Sequence, residues 1–407
     1  MADAPRDGGP LPGARADIDP DFFGYRSLLD PDEQALLAGL RAWLTGNVAP
    51  IADDYWSRSE FPHQLIPELA ELDVMGLSID LADRKARRRL LSGFVGLEFA
   101  RIDASFASFY GVHSGLAMGS IAQCGSDEQR ERWLPAMRHL DQVGAFGLTE
   151  PHGGSDVAGG LETTARRDGD EWVLDGAKRW IGNGTFADLV VVWAKDVTDG
   201  SDGGVRGFVV EKDMPGFSSA KMENKMALRI TQNADLTLDG VRVPEANRLQ
   251  HADSFDDTNS ILRSTRGSVA WSAVGVMTAV YEIAVQYAKD RVQFGRPIGA
   301  NQLVQDLLAR ILGNLTASLG MAVRGAQLQD DGVFHDEQGA LAKSFCTSRL
   351  RECVGWAREI LGGNGILLEY GIARPFNDAE ALYSYEGTRE INTLIVGRSI
   401  TGLSAFT

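Results

Sequence analysis

The chain has 407 residues, 44% hydrophobic and 24% charged, which is enough for two or three structural units with a sizeable core. Its formal net charge of −16 argues against a nucleic-acid partner, which needs a basic face. No apolar run in the sequence approaches the roughly 20 residues of a membrane span.

Residues 1–20 lack the apolar core of a signal peptide, are too acidic for a transit peptide and read as a flexible tail, and Ser404-Ala405-Phe406-Thr407 is not a peroxisomal address; this points to the cytoplasm. The three cysteines, Cys124, Cys346 and Cys353, are an odd count that fits a reducing compartment. Cys346 and Cys353 lie about 10 Å apart along a predicted helix, too far for a disulfide, and read as small core residues. The six histidines form no ligand pattern, so no metal is expected.

Residues 21–142 carry helical periods. Asp30-Pro31-Asp32-Glu33 opens a helix with a cap, a proline and early acids, and Leu36, Leu37, Leu40, Trp43 and Leu44 form its apolar stripe. Further helices run through Leu65–Leu72, Phe94–Ile102, Ala107–Cys124 and, capped by Ser126, on through Trp133. The basic run Arg84–Arg89 reads as a solvated face. Residues 143–250 change to short strand-like runs: Gly144–Thr149, Glu171–Leu174, Leu189–Ala194, Gly207–Glu211 and Ala234–Leu238. Asp175-Gly176 and Asp239-Gly240 are hairpin-type turn signals. This predicts a small β barrel or sandwich. In residues 251–407 long helices return at 268–291, 302–329 and 337–361, with a last one after Thr388; four such helices predict an antiparallel bundle. The fold class expected is therefore α+β: a helical N-terminal domain, a small central β domain and a C-terminal four-helix bundle.

Near the C-terminus, Tyr383-Ser384-Tyr385-Glu386-Gly387-Thr388 places one carboxylate between aromatics on a loop. Thr388 is a good N-cap for a helix with Ile391, Leu394, Ile395 and Ile400 at helical spacing. A glutamate there is either a solvated turn residue or a general base with a pKa raised by desolvation. Ala145–Asp156 (AFGLTEPHGGSD) leaves a strand for a glycine-rich loop, either a wide turn or a cradle of N–H groups for a planar, electron-rich ligand. Gly182–Ala187 matches GxGxxA but runs into a strand instead of opening a helix, so it is not a dinucleotide loop. Arg291 and Phe294 end one long helix, where they could grip a diphosphate and an adenine; Gly362 and Gly363 stop another.

Together with the tail YEGTREINTLIVGRSITGLSAF, these segments resemble the acyl-CoA dehydrogenase superfamily, most closely its glutaryl-CoA dehydrogenase-like branch, from about Phe22 onward. The resemblance implies an FAD-dependent enzyme that introduces an α,β double bond into an acyl-CoA thioester. Glu386 would take the α-proton, flavin N5 the hydride, and the Glu386 N–H and a flavin hydroxyl would polarise the thioester carbonyl. It implies FAD contacts from Phe146, Leu148, Thr149, Gly154, Ser155, Trp180, Ile181, Arg291, Phe294, Gln302, Leu361, Gly362, Gly363, Thr388, Glu390 and Phe406. Substrate contacts would come from Ser108, Ser155, Arg263, Thr265, Arg266, Tyr385 and Gly387. It also implies a homotetramer, a dimer of dimers with Arg291 serving a neighbour's FAD, and an electron-transfer flavoprotein as acceptor. Two positions depart from the pattern. Ala107 stands where glutaryl-CoA dehydrogenases carry the arginine for the distal carboxylate, which points to an uncharged short, medium or branched acyl chain. Gly182 replaces a threonine found near flavin N5 in many members; plant short-chain acyl-CoA oxidases are similar here, and oxygen is the alternative acceptor.

Overall fold

The computed structural model describes residues 19–198, 200 and 203–405; residues 1–18, predicted as a flexible tail, and Phe406 lie outside the described residues. The N-terminal helices are α1 (Pro31–Trp43), α2 (Ala52–Arg58), α3 (Ile66–Glu71), α4 (Arg89–Ile102), α5 (Ala104–Tyr110), α6 (Met118–Cys124) and α7 (Asp127–Arg138). Asp30 caps α1 and Ser126 caps α7, each in a reciprocal capping box with the residue three positions on. The helix expected from Ala107 to Cys124 is continuous but wider in its middle: Gly111–Ala117 is π-helical. The basic run is largely tied down, unlike the solvated face expected. Arg84 donates to the carbonyl oxygens of Asp73, Met75 and Gly76, and Arg88 pairs with the buried Glu33.

The strands are β1 (Gly144–Gly147), β2 (Thr164–Asp168), β3 (Glu171–Ile181), β4 (Leu189–Asp196), β5 (Val205–Glu211), β6 (Phe217–Lys221) and β7 (Ala234–Pro244). β4 pairs in parallel with β1 and β2 and antiparallel with β5; β2, β3, β7 and β6 continue the sheet antiparallel. Alternation along β4 explains its unbroken apolar run. Val190, Val192 and Ala194 face the interior of the β domain, while Leu189, Val191 and Trp193 face the helical core. The Asp-Gly pairs at 175 and 239 do not make hairpins. Both lie inside the long β3–β7 ladder, where the register shifts between Leu174 and Gly176. Gly176 has φ 148°, and a Cβ there would come within 2.6 Å of Thr163. β2 and β6, short and polar, carry no alternation that would reveal them.

The C-terminal helices are α8 (Phe255–Asp290), α9 (Gln302–Asp330), α10 (Asp336–Ile360), α11 (Ala373–Ser384) and α12 (Arg389–Thr401). α8 begins thirteen residues before the expected start, because Ser254 and Asp257 form a capping box ahead of an acidic first turn. It is long and apolar enough to cross a membrane by length and composition, but 72% of its most apolar window is buried inside the protein, against α4, α9 and α10. α11, not anticipated, packs with α12 on α10.

Candidate active site

Glu386 lies on the four-residue link between α11 and α12. Its backbone is left-handed, φ 54°, followed by Gly387 at φ 82°. A non-glycine residue in that region is strained, so the surroundings must hold it there. Thr388 closes the link as N-cap, its hydroxyl accepting from the Ile391 N–H at 3.2 Å. The Glu386 N–H donates to no acceptor among the described residues.

The carboxylate points back toward α8. Thr265 donates to Glu386 Oε2 at 3.2 Å. Burial raises the Glu386 carboxyl above its ordinary range; the Thr265 hydroxyl, Arg266 and Lys343 oppose this but do not cancel it. Tyr385 beside it is held neutral by burial, with the Ser108 hydroxyl of α5 in hydrogen-bonding reach. Thus Ser108 of α5, Thr265 of α8, and Tyr385, Glu386 and Gly387 of the link are brought together from three elements. Arg266 joins them from the inside: it is buried and ion-paired with Asp336 at the start of α10. Arg263, one turn away, is exposed, and both lie within α8 rather than before it. Sequence reasoning missed Lys343, whose signal was a lone lysine on the buried face of α10 formed by Ala340, Ala342, Cys346 and Thr347.

The glycine-rich loop follows β1. Phe146 and Leu148 are buried, while Gly154 and Ser155 are exposed at its tip. Its two stems are clasped by Glu150, which accepts from the Glu162 N–H (2.6 Å), the Thr163 N–H (2.9 Å) and Lys178 Nζ (2.7 Å). Lys178 also donates to Leu148 O at 3.1 Å. Burial alone would raise the Glu150 carboxyl, but Lys178 and these donors hold it low; burial lowers Lys178 to about 8. The Arg179 N–H binds Thr149 O at 2.8 Å. Two residues beyond Lys178, Trp180 has φ 66° and is 55% exposed, while Ile181 is buried. Gly182 then turns under α5: a Cβ there would come within 2.9 Å of Val112 Cγ2, and Asn183 donates to Phe109 O (3.4 Å) and Gly144 O (3.2 Å).

A third group stands apart, at the corner between α8 and α9. Arg291 and Gln302 are exposed and Phe294 is wholly exposed with φ 52°. Leu361 is buried; Gly362 and Gly363 are exposed, with no atom within 4 Å of where a Cβ would sit. Asn364, donating to the Tyr287 hydroxyl at 2.9 Å, ties that segment to α8. Glu390, in the first turn of α12, is exposed and paired with Arg389.

Family models of the N-terminal, middle and C-terminal domains of acyl-CoA dehydrogenases match residues 30–141, 145–241 and 255–401. The chain belongs to the acyl-CoA dehydrogenase family. An acyl-CoA dehydrogenase of Bacillus subtilis (strain 168) is 34% identical over 373 residues, covering 91% of this chain and 98% of the relative. The short-chain specific mitochondrial acyl-CoA dehydrogenase of Bos taurus is 32% identical over 375 residues, covering 91% of each. A glutaryl-CoA dehydrogenase of Mycobacterium smegmatis, solved in complex with FADH2, superimposes with a TM-score of 0.92 at 33% identity, covering 96% of this chain and all of that one. This acyl-CoA dehydrogenase is an FAD-dependent oxidoreductase of the glutaryl-CoA dehydrogenase-like branch. Its residues fit the cofactor. Trp180 leaves an uncovered aromatic face beside an open loop that offers N–H groups and the Ser155 hydroxyl, and the corner group combines an exposed guanidinium, an exposed phenyl ring and open glycines.

Proposed function

We propose that Glu386 is the base for α,β-dehydrogenation of an uncharged short, medium or branched acyl-CoA, with electrons passing on to an electron-transfer flavoprotein. The observation that carries this is the Glu386 carboxylate itself: held on a strained loop, oriented by Thr265, and made more basic by burial. A raised carboxylate pKa strengthens the base while leaving it ionised near neutrality. Its own free N–H suits the thioester oxygen, where charge develops as the α-proton leaves. Bound FAD supplies the acceptor for the hydride that leaves Cβ. Phe146, Leu148, Thr149, Gly154, Ser155, Trp180 and Ile181 would hold it from one chain, and Arg291, Phe294 and Gln302 from a neighbour.

The acyl tail is read from α5. Ala107 is buried, and Phe61 stacks with Phe106 and Phe186 and packs at a tilt on Phe109, at centroid distances of 4.9–5.5 Å. Arg101 is committed to Glu282 and Glu98, and Arg84 to Asp73 and two further carbonyls, so neither is free for a distal carboxylate. Val112 occupies the space that Gly182 leaves, which favours a dehydrogenase over an oxygen-using oxidase. Exposed Phe294, Leu303, Ile400 and Leu403 support a homotetramer. The test of the base is Glu386→Gln, which keeps shape and loses basicity: bound flavin should be reduced by acyl-CoA at least about a thousandfold more slowly, with acyl-CoA binding retained. Near-normal reduction would move the base elsewhere.

A further inference from the structure

Lys343 is fully buried in the middle of α10. No carboxylate lies within ion-pair distance of it among the described residues. A buried ammonium without a counter-ion is costly, so its position calls for a physical reason. Its Nζ donates to Tyr383 O at 2.9 Å and to Gly387 O at 2.5 Å. Tyr383 O belongs to the last turn of α11, at the negative end of that helix dipole, and Gly387 O directly follows the base. Asn392 of α12 donates to the same Gly387 oxygen at 2.9 Å. The two carbonyls bracket Glu386, whose left-handed backbone nothing in its own sequence would hold.

We infer that Lys343 is a positioning residue for the base: its ammonium clamps both sides of the Glu386 loop, keeps it in the left-handed turn, and favours the charged carboxylate. The inference rests on the reading of Glu386 as the base. The charged and titratable groups around the loop are Arg266 from α8, paired with Asp336 of α10, Tyr385 beside the base, Asp378 of α11 acting on Tyr385, and Glu390 of α12 acting on Lys343; the Thr265 hydroxyl bonds Glu386 and the Ser108 hydroxyl of α5 bonds Tyr385. Burial lowers Lys343 to about 8, with Glu386 and Glu390 pulling it back up. Glu386 is raised by burial and lowered by Lys343. The reductive half-reaction should therefore need Glu386 ionised, giving an acid limb above the ordinary carboxylate range, and Lys343 protonated, giving an alkaline limb near about 8.

The experiment follows anaerobic reduction of bound flavin by acyl-CoA across pH in the holoenzyme. Lys343→Met removes the charge and keeps the stem. The expected result is an acid limb moved up by about one pH unit, a loss of the alkaline limb, and a rate at neutral pH at least about tenfold lower, with acyl-CoA affinity within about threefold. If Lys343→Met does not accumulate as holoenzyme, Lys343→Gln, neutral with an amide NH2 still able to donate to the carbonyls, carries the same expectations. The parent enzyme itself must show the alkaline limb; a flat profile up to about pH 10 overturns the inference without any variant. It is equally overturned by a Lys343 variant with parental rate and limbs, or by a uniform loss at all pH with unmoved limbs, which is a structural role alone. Glu386→Gln separates the two readings. If it reduces flavin normally, the base assignment fails; if it is inactive while Lys343→Met is parental, only the clamp fails.

Discussion

Lys178→Met tests whether the Glu150 clasp holds the loop that carries Ser155. The substitution keeps the apolar stem and removes the ammonium, leaving a buried carboxylate with two of its three donors, the Glu162 and Thr163 N–H groups. Leu148 O loses its side-chain donor as well. Breaking a buried pair from one side costs about 3–5 kcal/mol; the two surviving donors put the expected loss near about 3 kcal/mol. If half of that falls on the loop in its cofactor-binding conformation, FAD affinity drops about tenfold, at about 1.4 kcal/mol per decade. Lys178→Met/Glu150→Gln removes both charges and should recover most of the loss, because the penalty comes from an uncompensated carboxylate. Denaturant unfolding of the holoprotein and flavin retained after dilution measure the two effects. A single variant within about 1 kcal/mol of the parent with full flavin retention refutes the reasoning. A double variant as costly as the sum of its singles does so too.

Butyryl-CoA should exceed glutaryl-CoA in kcat/KM by at least about a hundredfold with an artificial electron acceptor, since an unpaired carboxylate among Phe106, Ala107 and Phe109 costs about 3 kcal/mol. Equal glutaryl-CoA turnover with released carbon dioxide would show that a cation reaches the tail, and Arg89, which donates to Ser78 near Tyr110, would be the first to replace. Purified protein should be yellow, release FAD on denaturation and scatter light as a tetramer; an FAD-loaded monomer would count decisively against a neighbour's Arg291 at the cofactor.

What was legible in the sequence was local. Thr388, Gly387 and the helical period behind them place Glu386 on a loop before any fold is drawn, and the structure has it there. The GxGxxA segment does run into β4, as its context predicted. Long-range pairs were not legible, because nothing in a linear pattern announces them. Arg84–Arg89 reads as solvated until Asp73 and Glu33 meet it, and nothing in the sequence around Arg266 announces its pairing with Asp336, 70 residues on. The Asp-Gly pairs misled for the opposite reason: the same glycine freedom that makes a tight hairpin also makes a bulge inside a long ladder, and only the strand partner decides between them.

α11 connects these observations. It was not anticipated, yet it ends two residues before Glu386 and binds both other domains along its length. Arg374, in its first turn, donates to Asp53 at 2.5 Å and to Asp103, the N-cap of α5. One turn on, the buried Asp378 accepts from the Leu228 N–H of the β domain at 2.7 Å and from Trp56 Nε1 of α2 at 3.3 Å. Burial beside Asp103 raises the Asp378 carboxyl well above its ordinary range, so the contact is built around a group that resists ionisation. The position of Glu386 relative to Trp180 and the glycine-rich loop is therefore not set by the C-terminal bundle alone. It is fixed where α11 meets the α5 cap, α2 and the β domain, and Lys343 carries that placement across the last turn to the carboxylate. A base that must stand a fixed distance from a cofactor held on another domain needs such a rigid path between the two.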